Sequence, residues 1–533
     1  MLYFDHGGQS YMAYFLNSYA SNNSFTEIVN DKYFVDKSLF IEKINNNIRT
    51  YSKFICITKP RRFGKSVNAM MLASYYSKAI DTKEIFGKLN ISKSESYLEH
   101  LNKHNVIYMK LDELPKKDCT YDEFLNNIID GLIDDLNENY PDIQLKSTTP
   151  LSRAFTQIFT TTNEGFIFIM DEWDYIFSHN LFTEKEREHF LKFFNDLLKD
   201  RPYVELAYMT GVLPIAKYSS SSSMNMFREY NFLNDNTYGA YFGFTTEEVK
   251  RLCDKQDKIS LNELKEWYDG YRTLNGEEIY NPRSVVYALS EGICQSYWTG
   301  TGPMDEISYY IETDVNEIKE DIVKMVADIP VEILLLGYGT EKVSLETKED
   351  IYAAMCVYGF LNYYDETVRI PNKEIKLKFD MALKSKSMGD VAQVISQSRD
   401  MINATINKDI DTMIRIIQEV HNVNIPFIHY NNENSLACVI ILAYISARSK
   451  YNIVREEKAG KGFADFIFYP HKITDPAFII ELKVNKTPQD AIDQIFDKKY
   501  TDKLKDYQGI KLAIGISYDT KTKDHDILIK DIE

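Results

Sequence analysis

The chain has 533 residues with a formal net charge of −17, and it is 44% hydrophobic and 26% charged. A length of this order accommodates about three to four domains, each with its own core. The acidic balance excludes a nonspecific nucleic-acid coat protein, which needs a basic surface. No apolar run approaches the ~18–20 residues that span a bilayer, and the first Lys or Arg is Lys32, so neither a membrane segment nor a signal peptide is expected. Six scattered cysteines without C-x-x-C spacing read as reduced thiols of a cytoplasmic protein, with no zinc site.

Residues 1–24 are aromatic and rich in Asn and Ser, and are set apart as an N-terminal extension. An extended piece, Tyr33-Phe34-Val35-Asp36-Lys37-Ser38, then enters a helix. The apolar run Phe54-Ile55-Cys56-Ile57 reads as a buried strand, and Val67-Asn68-Ala69-Met70-Met71-Leu72-Ala73 as a helix. Between them stands Gly64-Lys65-Ser66, the closing half of a phosphate-binding loop. Gly64 lets the backbone approach phosphates at a helix N-terminus, Lys65 reaches the β- and γ-phosphates, and the Ser66 hydroxyl ligates Mg²⁺. The opening glycine of G-x-x-x-x-G-K-[ST] is replaced by Lys59, and Pro60 stiffens the turn. Arg61 and Arg62 read either as solvated charges or as extra phosphate contacts that make up for the lost glycine.

Asn105 to Asp112 is a second strand, and Tyr121 to Leu136 has the apolar spacing of an amphipathic helix. Phe166-Ile167-Phe168-Ile169-Met170 followed by Asp171-Glu172 describes a central parallel strand ending in a polar site. There Asp171 would hold the Mg²⁺ shell, and Glu172 would orient or deprotonate the attacking water. Another strand, Val204 to Met209, ends at Thr210-Gly211; Thr210 reads the γ-phosphate or simply closes a strand. Ser219 to Ser223 reads as a loop, Thr245 as a helix cap, and the aromatic turns at Trp267–Tyr271 and Tyr280–Val285 as packing for a small lid. Residues 246–425 are taken as lid and helical connecting region.

From 430 onward the charges balance, with sixteen Lys+Arg against sixteen Asp+Glu. A helix from Ser435 to Arg448 precedes strands at Tyr451–Arg455, Phe463–Tyr469 and Ala477–Leu482, then a helix from Pro488 to Lys499 and a strand at Lys511–Ser517. Strand alternation puts Glu481 and Lys483 on one face, and Asp465 on the neighbouring strand comes level with them. Two carboxylates and a lysine at one sheet end make a Mg²⁺ site with a positive group beside the attacking water. Gln494 follows on the next helix.

These residues carry a resemblance. Tyr33-Phe34-Val35-Asp36-Lys37, Pro60-Arg61-Arg62-Phe63-Gly64-Lys65-Ser66, Met170-Asp171-Glu172, Thr210-Gly211-Val212-Leu213, Tyr241-Phe242-Gly243-Phe244-Thr245 and Trp267-Tyr268-Asp269-Gly270-Tyr271 resemble the AAA-ATPase-like proteins of prokaryotes that carry a fused PD-(D/E)XK nuclease domain. The C-terminal match runs from Gly460-Lys461-Gly462 through Asp465, Glu481 and Lys483 to Ala491-Ile492-Asp493-Gln494-Ile495. Phe463 stands where the family usually has arginine, and the upstream acid is Glu456 or Glu457. The resemblance implies an α/β fold: a P-loop NTPase-type parallel sheet over 25–245 with a helical lid, a helical connecting region, and a C-terminal α/β nuclease-like domain over 430–533. It implies ATP and Mg²⁺ as cofactors, DNA or RNA as partner, and is compatible with a homo-oligomer. Arg61, Arg62, Gly64, Lys65, Ser66, Asp171 and Thr210 are the expected nucleotide contacts, and Glu172, Asp465, Glu481, Lys483 and Gln494 the expected catalytic groups. Arg228 and Arg283 are the candidate arginine fingers. The expected function is an ATPase whose nucleotide state gates the nuclease; the alternative is an ATP-driven switch whose nuclease fold only binds.

Overall fold

A computed structural model describes residues 14–143, 145–146, 148–215, 224–298, 316–335, 347–383, 397–422 and 432–533. The loop expected at Ser219–Ser223 and parts of the connecting region lie outside them. The chain divides into two compact units, residues 1–300 with 334–365, and residues 301–333 with 366–533.

The first unit is built on five parallel strands: β1 (Phe54–Thr58), β2 (Asn105–Lys110), β3 (Phe166–Asp171), β4 (Val204–Gly211) and β5 (Arg228–Tyr230), in the order β2-β3-β4-β1-β5. The central strands are mostly apolar and buried because both faces are covered. Phe166, Phe168 and Met170 enter one core with Phe124, Phe155 and Phe190, whereas Ile167 and Ile169 enter another with Ile55, Ile57 and Leu72. Helix α1 (Tyr19–Val29) starts at Ser18, whose side chain caps it. Residues just ahead of it are held in the unit, since the buried carboxylate of Asp135 accepts the N–H groups of Phe15 and Leu16. Helix α2 (Lys65–Tyr76) follows the phosphate loop, and α3 (Tyr121–Asn139) begins with a capping box between Thr120 and Glu123.

Among the elements that went unread in the sequence are two helices and a strand. Helix α4 (Leu151–Thr162) and helix α5 (Glu184–Leu198) cover the Phe166 face, and β5 is only three residues long, too short to give a periodic signal. The expected lid packing is present. A small sheet of β6 (Phe244–Thr245), β7 (Tyr271–Arg272) and β8 (Glu278–Tyr280) buries Tyr271 and Tyr280, with Tyr268 beside them. Helix α6 (Pro282–Glu291) leaves this sheet, capped by Asn281 with proline in its first turn.

The second unit carries β9 (Tyr451–Ala459), β10 (Gly462–Pro470), β11 (Ala477–Val484), β12 (Lys511–Tyr518) and β13 (His525–Asp531), hydrogen-bonded in that order. Only β11 and β12 run parallel in this sheet, and α7 (Pro488–Asp497) makes the crossover a parallel pair requires. Ile479, Ile492, Ile495 and Ala513 form the core under α7. The edge strand β13 was not anticipated, because its three apolar residues are flanked by charges typical of an edge.

Candidate functional site

The phosphate loop joins β1 to α2, and its shape explains the missing glycine. Gly64 sits at φ +87°, a left-handed conformation that a Cβ would strain, whereas Lys59 lies outside the positive-φ residues and needs no glycine. The Lys59 side chain turns inward. Its ammonium lies 2.8 Å from the Asp235 carboxylate, each side chain is 1% exposed, and the Phe232 ring stands 5.1 Å away. Burial pulls the Lys59 ammonium below its ordinary value, and Asp235 opposes that shift. Two backbone N–H groups, of Thr237 and Tyr238, donate to the other Asp235 oxygen. The Lys65 ammonium donates to the carbonyls of Lys59 (3.0 Å) and Pro60 (3.1 Å), inside the curve of the loop.

Register brings the acidic strand end alongside. Ile57 pairs with Thr210 on β4, and Met170 of β3 with Met209, so Asp171 and Thr210 are neighbours next to the loop. The Thr210 hydroxyl donates to the fully buried Asp171 carboxylate, and the Ser66 hydroxyl also reaches it. Burial raises the Asp171 pKa, with Glu172 adding to the rise, while Thr210 and Ser66 counter it. Glu172 follows at φ +54°, a backbone conformation uncommon outside glycine, and lines the adjoining cavity.

That cavity has a volume of about 680 Å³. Arg62, Gly64, Lys65 and Ser66 form one wall, and Phe34 with Tyr241 another; Arg283 and Tyr287 of α6 line it as well. A phosphate chain fits the donor set, because a helix N-terminus, a lysine and a backbone glycine share this wall. Arg62 lines the cavity; Arg61 is not among its lining residues. Of the two finger candidates, Arg283 lies in the cavity with its guanidinium 4.9 Å over the Tyr287 ring and its Nε without a hydrogen-bond partner among the described residues. Arg228 is exposed on β5, stacked on Tyr230.

The sequence reading overlooked Asp174. One of its oxygens accepts the N–H groups of Val212 (3.0 Å) and Leu213 (2.7 Å), pinning the turn after Thr210 to the turn after Asp171. Burial, reinforced by Glu172, raises its pKa to about 6. A third acid three residues past a strand end, in a stretch already rich in acids, was the available signal.

In the second unit the four expected residues meet. The Leu482 N–H donates to Asp465 Oδ2 at 2.7 Å, and the Asp465 N–H to Glu481 Oε2 at 3.4 Å. Lys483 Nζ donates to Glu481 Oε1 at 2.9 Å, as two residues on one strand face can, and the Gln494 amide of α7 donates to the same oxygen. Burial raises the Glu481 pKa to about 7, with Asp465 adding and Lys483 subtracting. Glu457 accepts from Tyr469 (2.7 Å) and Lys503 (2.7 Å), whereas Glu456 is 66% exposed against Arg455. Among the described residues no cluster of three or more His, Cys, Asp and Glu side chains is close enough to cage a metal. The buried Glu481 carboxylate beside half-buried Asp465 suits a cation that keeps much of its water, as Mg²⁺ does.

The comparisons with known proteins follow this division. Residues 21–220 match the family model of a predicted AAA-ATPase, and residues 431–526 that of the PD-(D/E)XK nuclease superfamily. A Walker-type ATPase of Pyrococcus abyssi is similar at 13% identity and a TM-score of 0.34, over 64% of this chain and 94% of that one. The ORC2 protein of Aeropyrum pernix, in complexes with ADPNP and ADP, is similar at 9% identity and a TM-score of 0.33, over 72% of this chain and 98% of that one. No curated protein matches. The chain thus joins a predicted AAA-ATPase domain to a C-terminal domain of the PD-(D/E)XK nuclease superfamily.

Proposed function

We propose that residues 25–245 bind ATP with Mg²⁺ and hydrolyse it, and that residues 430–533 form a Mg²⁺-dependent nuclease. In this reading the nucleotide state gates the nuclease through residues 246–425. The observation that carries it is the convergence of Asp465, Glu481, Lys483 and Gln494 at one sheet end. The same chain carries a phosphate loop facing an Asp171–Thr210 pair.

On nucleotide binding, the Lys65 ammonium exchanges two loop carbonyls for phosphate oxygens, and the N–H groups opening α2 take the remaining charge. Ser66 and Asp171 would hold the cation shell, Thr210 orients Asp171, and Glu172 would receive the proton of the attacking water. In the C-terminal domain, Asp465 and Glu481 would hold the cation, Gln494 fixes Glu481, and Lys483 would stabilise charge as a phosphodiester is attacked. Bound Mg²⁺ supplies Lewis-acid stabilisation of that phosphate.

The test incubates the full chain with Mg²⁺ and labelled DNA or RNA, without nucleotide and with ADP, ATP or a slowly hydrolysed analogue. Cleavage abolished by Asp465→Ala, at a rate that changes with nucleotide and responds to Glu172→Gln, is the expected result. Identical rates in every state eliminate gating. Binding without any cleavage makes the C-terminal domain a binding module and the chain an ATP-driven switch.

A further inference from the structure

Phe463 is the most conspicuous side chain near the C-terminal acidic site. It is 61% exposed and precedes Asp465 by two residues on β10, roughly 7 Å along the strand. Its cross-strand partner is Lys458 on β9, itself exposed. The β9–β10 turn holds exposed Lys461, whose N–H donates to the carbonyl of Lys498 at 2.8 Å. That bond brings the end of α7, with exposed Lys498 and Lys499, to the same rim. Among the described residues none of these four lysines forms an ion pair. Of the neighbouring acids, Glu457 is bound by Lys503 and Glu456 by Arg455, while Asp493, Asp497 and Asp502 are exposed opposing charges.

An exposed ring bordered by such lysines has two properties at once. The lysines attract a phosphate backbone, and the ring offers a flat apolar face that only an unstacked base can cover. A duplex keeps its bases stacked inside and gains nothing from the ring. Resting on the nuclease reading of the adjacent acids, we propose that Phe463 is a base-stacking platform. It selects single-stranded polynucleotide, DNA or RNA, and delivers the backbone beside Asp465 and Glu481. A protein partner would also cover an aromatic ring, but the lysines around it and the phosphodiester chemistry beside it favour the polyanion.

The test measures fluorescence anisotropy of labelled single-stranded DNA, single-stranded RNA and duplex DNA on the full chain, with Ca²⁺ in place of Mg²⁺. Wild type should bind single strands at least about tenfold more tightly than duplex. Phe463→Ala should lose roughly tenfold or more in single-strand affinity, as loss of a stacked base does, and Phe463→Trp should retain it. Ile473→Ala, an equally exposed apolar residue, should change nothing. The DNA and RNA arms identify the sugar. Single-strand affinity unchanged in Phe463→Ala, or tighter binding of duplex, overturns the platform. Cleavage in Mg²⁺ on the same oligonucleotides tests the nuclease reading separately. Cutting that requires Glu481 but not Phe463 leaves the nuclease and removes the platform, whereas Phe463-dependent binding without cutting does the reverse. A wild type that binds no oligonucleotide overturns the proposal and points to a protein partner.

Discussion

Asp174 shows how one buried acid sets a pH dependence. Its folded pKa, about 6, stands above the ordinary aspartate value near 3.9, so between these values the folded chain holds a proton that the unfolded chain has released. Below about pH 4 both states are protonated and the group is neutral in its effect. From about 4 to 6 its contribution turns progressively unfavourable to the fold. Above 6 the buried charge destabilises the fold by up to about 3 kcal/mol. Asp174→Asn keeps an acceptor for Val212 and Leu213. Urea denaturation should therefore show the difference in stability moving in favour of the Asp174→Asn variant over wild type as pH rises from 4 to 7. Lys59 and Asp235 make the opposite case, a buried charge with a partner. Removing either side chain alone should cost roughly 3–5 kcal/mol. Lys59→Ala with Asp235→Ala together should cost less than the sum, because no orphaned charge remains. At the proposed nucleotide site, Lys65→Ala should abolish ATP binding by calorimetry. Glu172→Gln should bind normally and lose about 10²–10⁴-fold in turnover.

At the scale of elements, α7 must lie close against β11 and β12 for Gln494 to reach Glu481. Gly515 of β12, paired in register with Glu481, makes this approach feasible. A Cβ there would stand 2.2 Å from the Pro488 carbonyl and 3.0 Å from the Ala491 Cβ. Gly515→Ala should push α7 outward and lower both melting temperature and any Mg²⁺-dependent cleavage. Gln494→Ala should spare stability, so the pair separates helix placement from the amide's own contribution. The same elements show what was legible in the chain. A loop ending in Gly64-Lys65-Ser66, a strand running into Asp171-Glu172 and the alternating Glu481 and Lys483 each concentrate their signal in a few consecutive residues. Asp235 reaches the loop from a distant stretch, and only packing brings it there. Short β5 and the charged edge strand β13 gave too little periodicity to be read, and Phe463 became informative only once its exposure was visible.

For the whole molecule, the division into two units means that the proposed nucleotide and polynucleotide contacts reside on separately packed cores. If nucleotide state gates the nuclease, linkage makes the effect reciprocal in binding. A tenfold tightening of single-stranded oligonucleotide by the ATP analogue requires a tenfold tightening of the analogue by oligonucleotide. Calorimetric titrations in both orders should close that cycle, and an unequal pair of factors would mean that the two ligands are not coupled through one equilibrium. The inward-turned Lys59 has its own consequence for how this protein can change. In a loop opened by glycine, the conformation is local, and the segment can be carried as a cassette from one scaffold to another. Here the opening residue is anchored to Asp235 and Phe232, far along the chain. The phosphate loop is therefore not portable: grafted without those two residues it would bring an unpaired ammonium into its host's core, and in its own chain it can drift in sequence only in step with them.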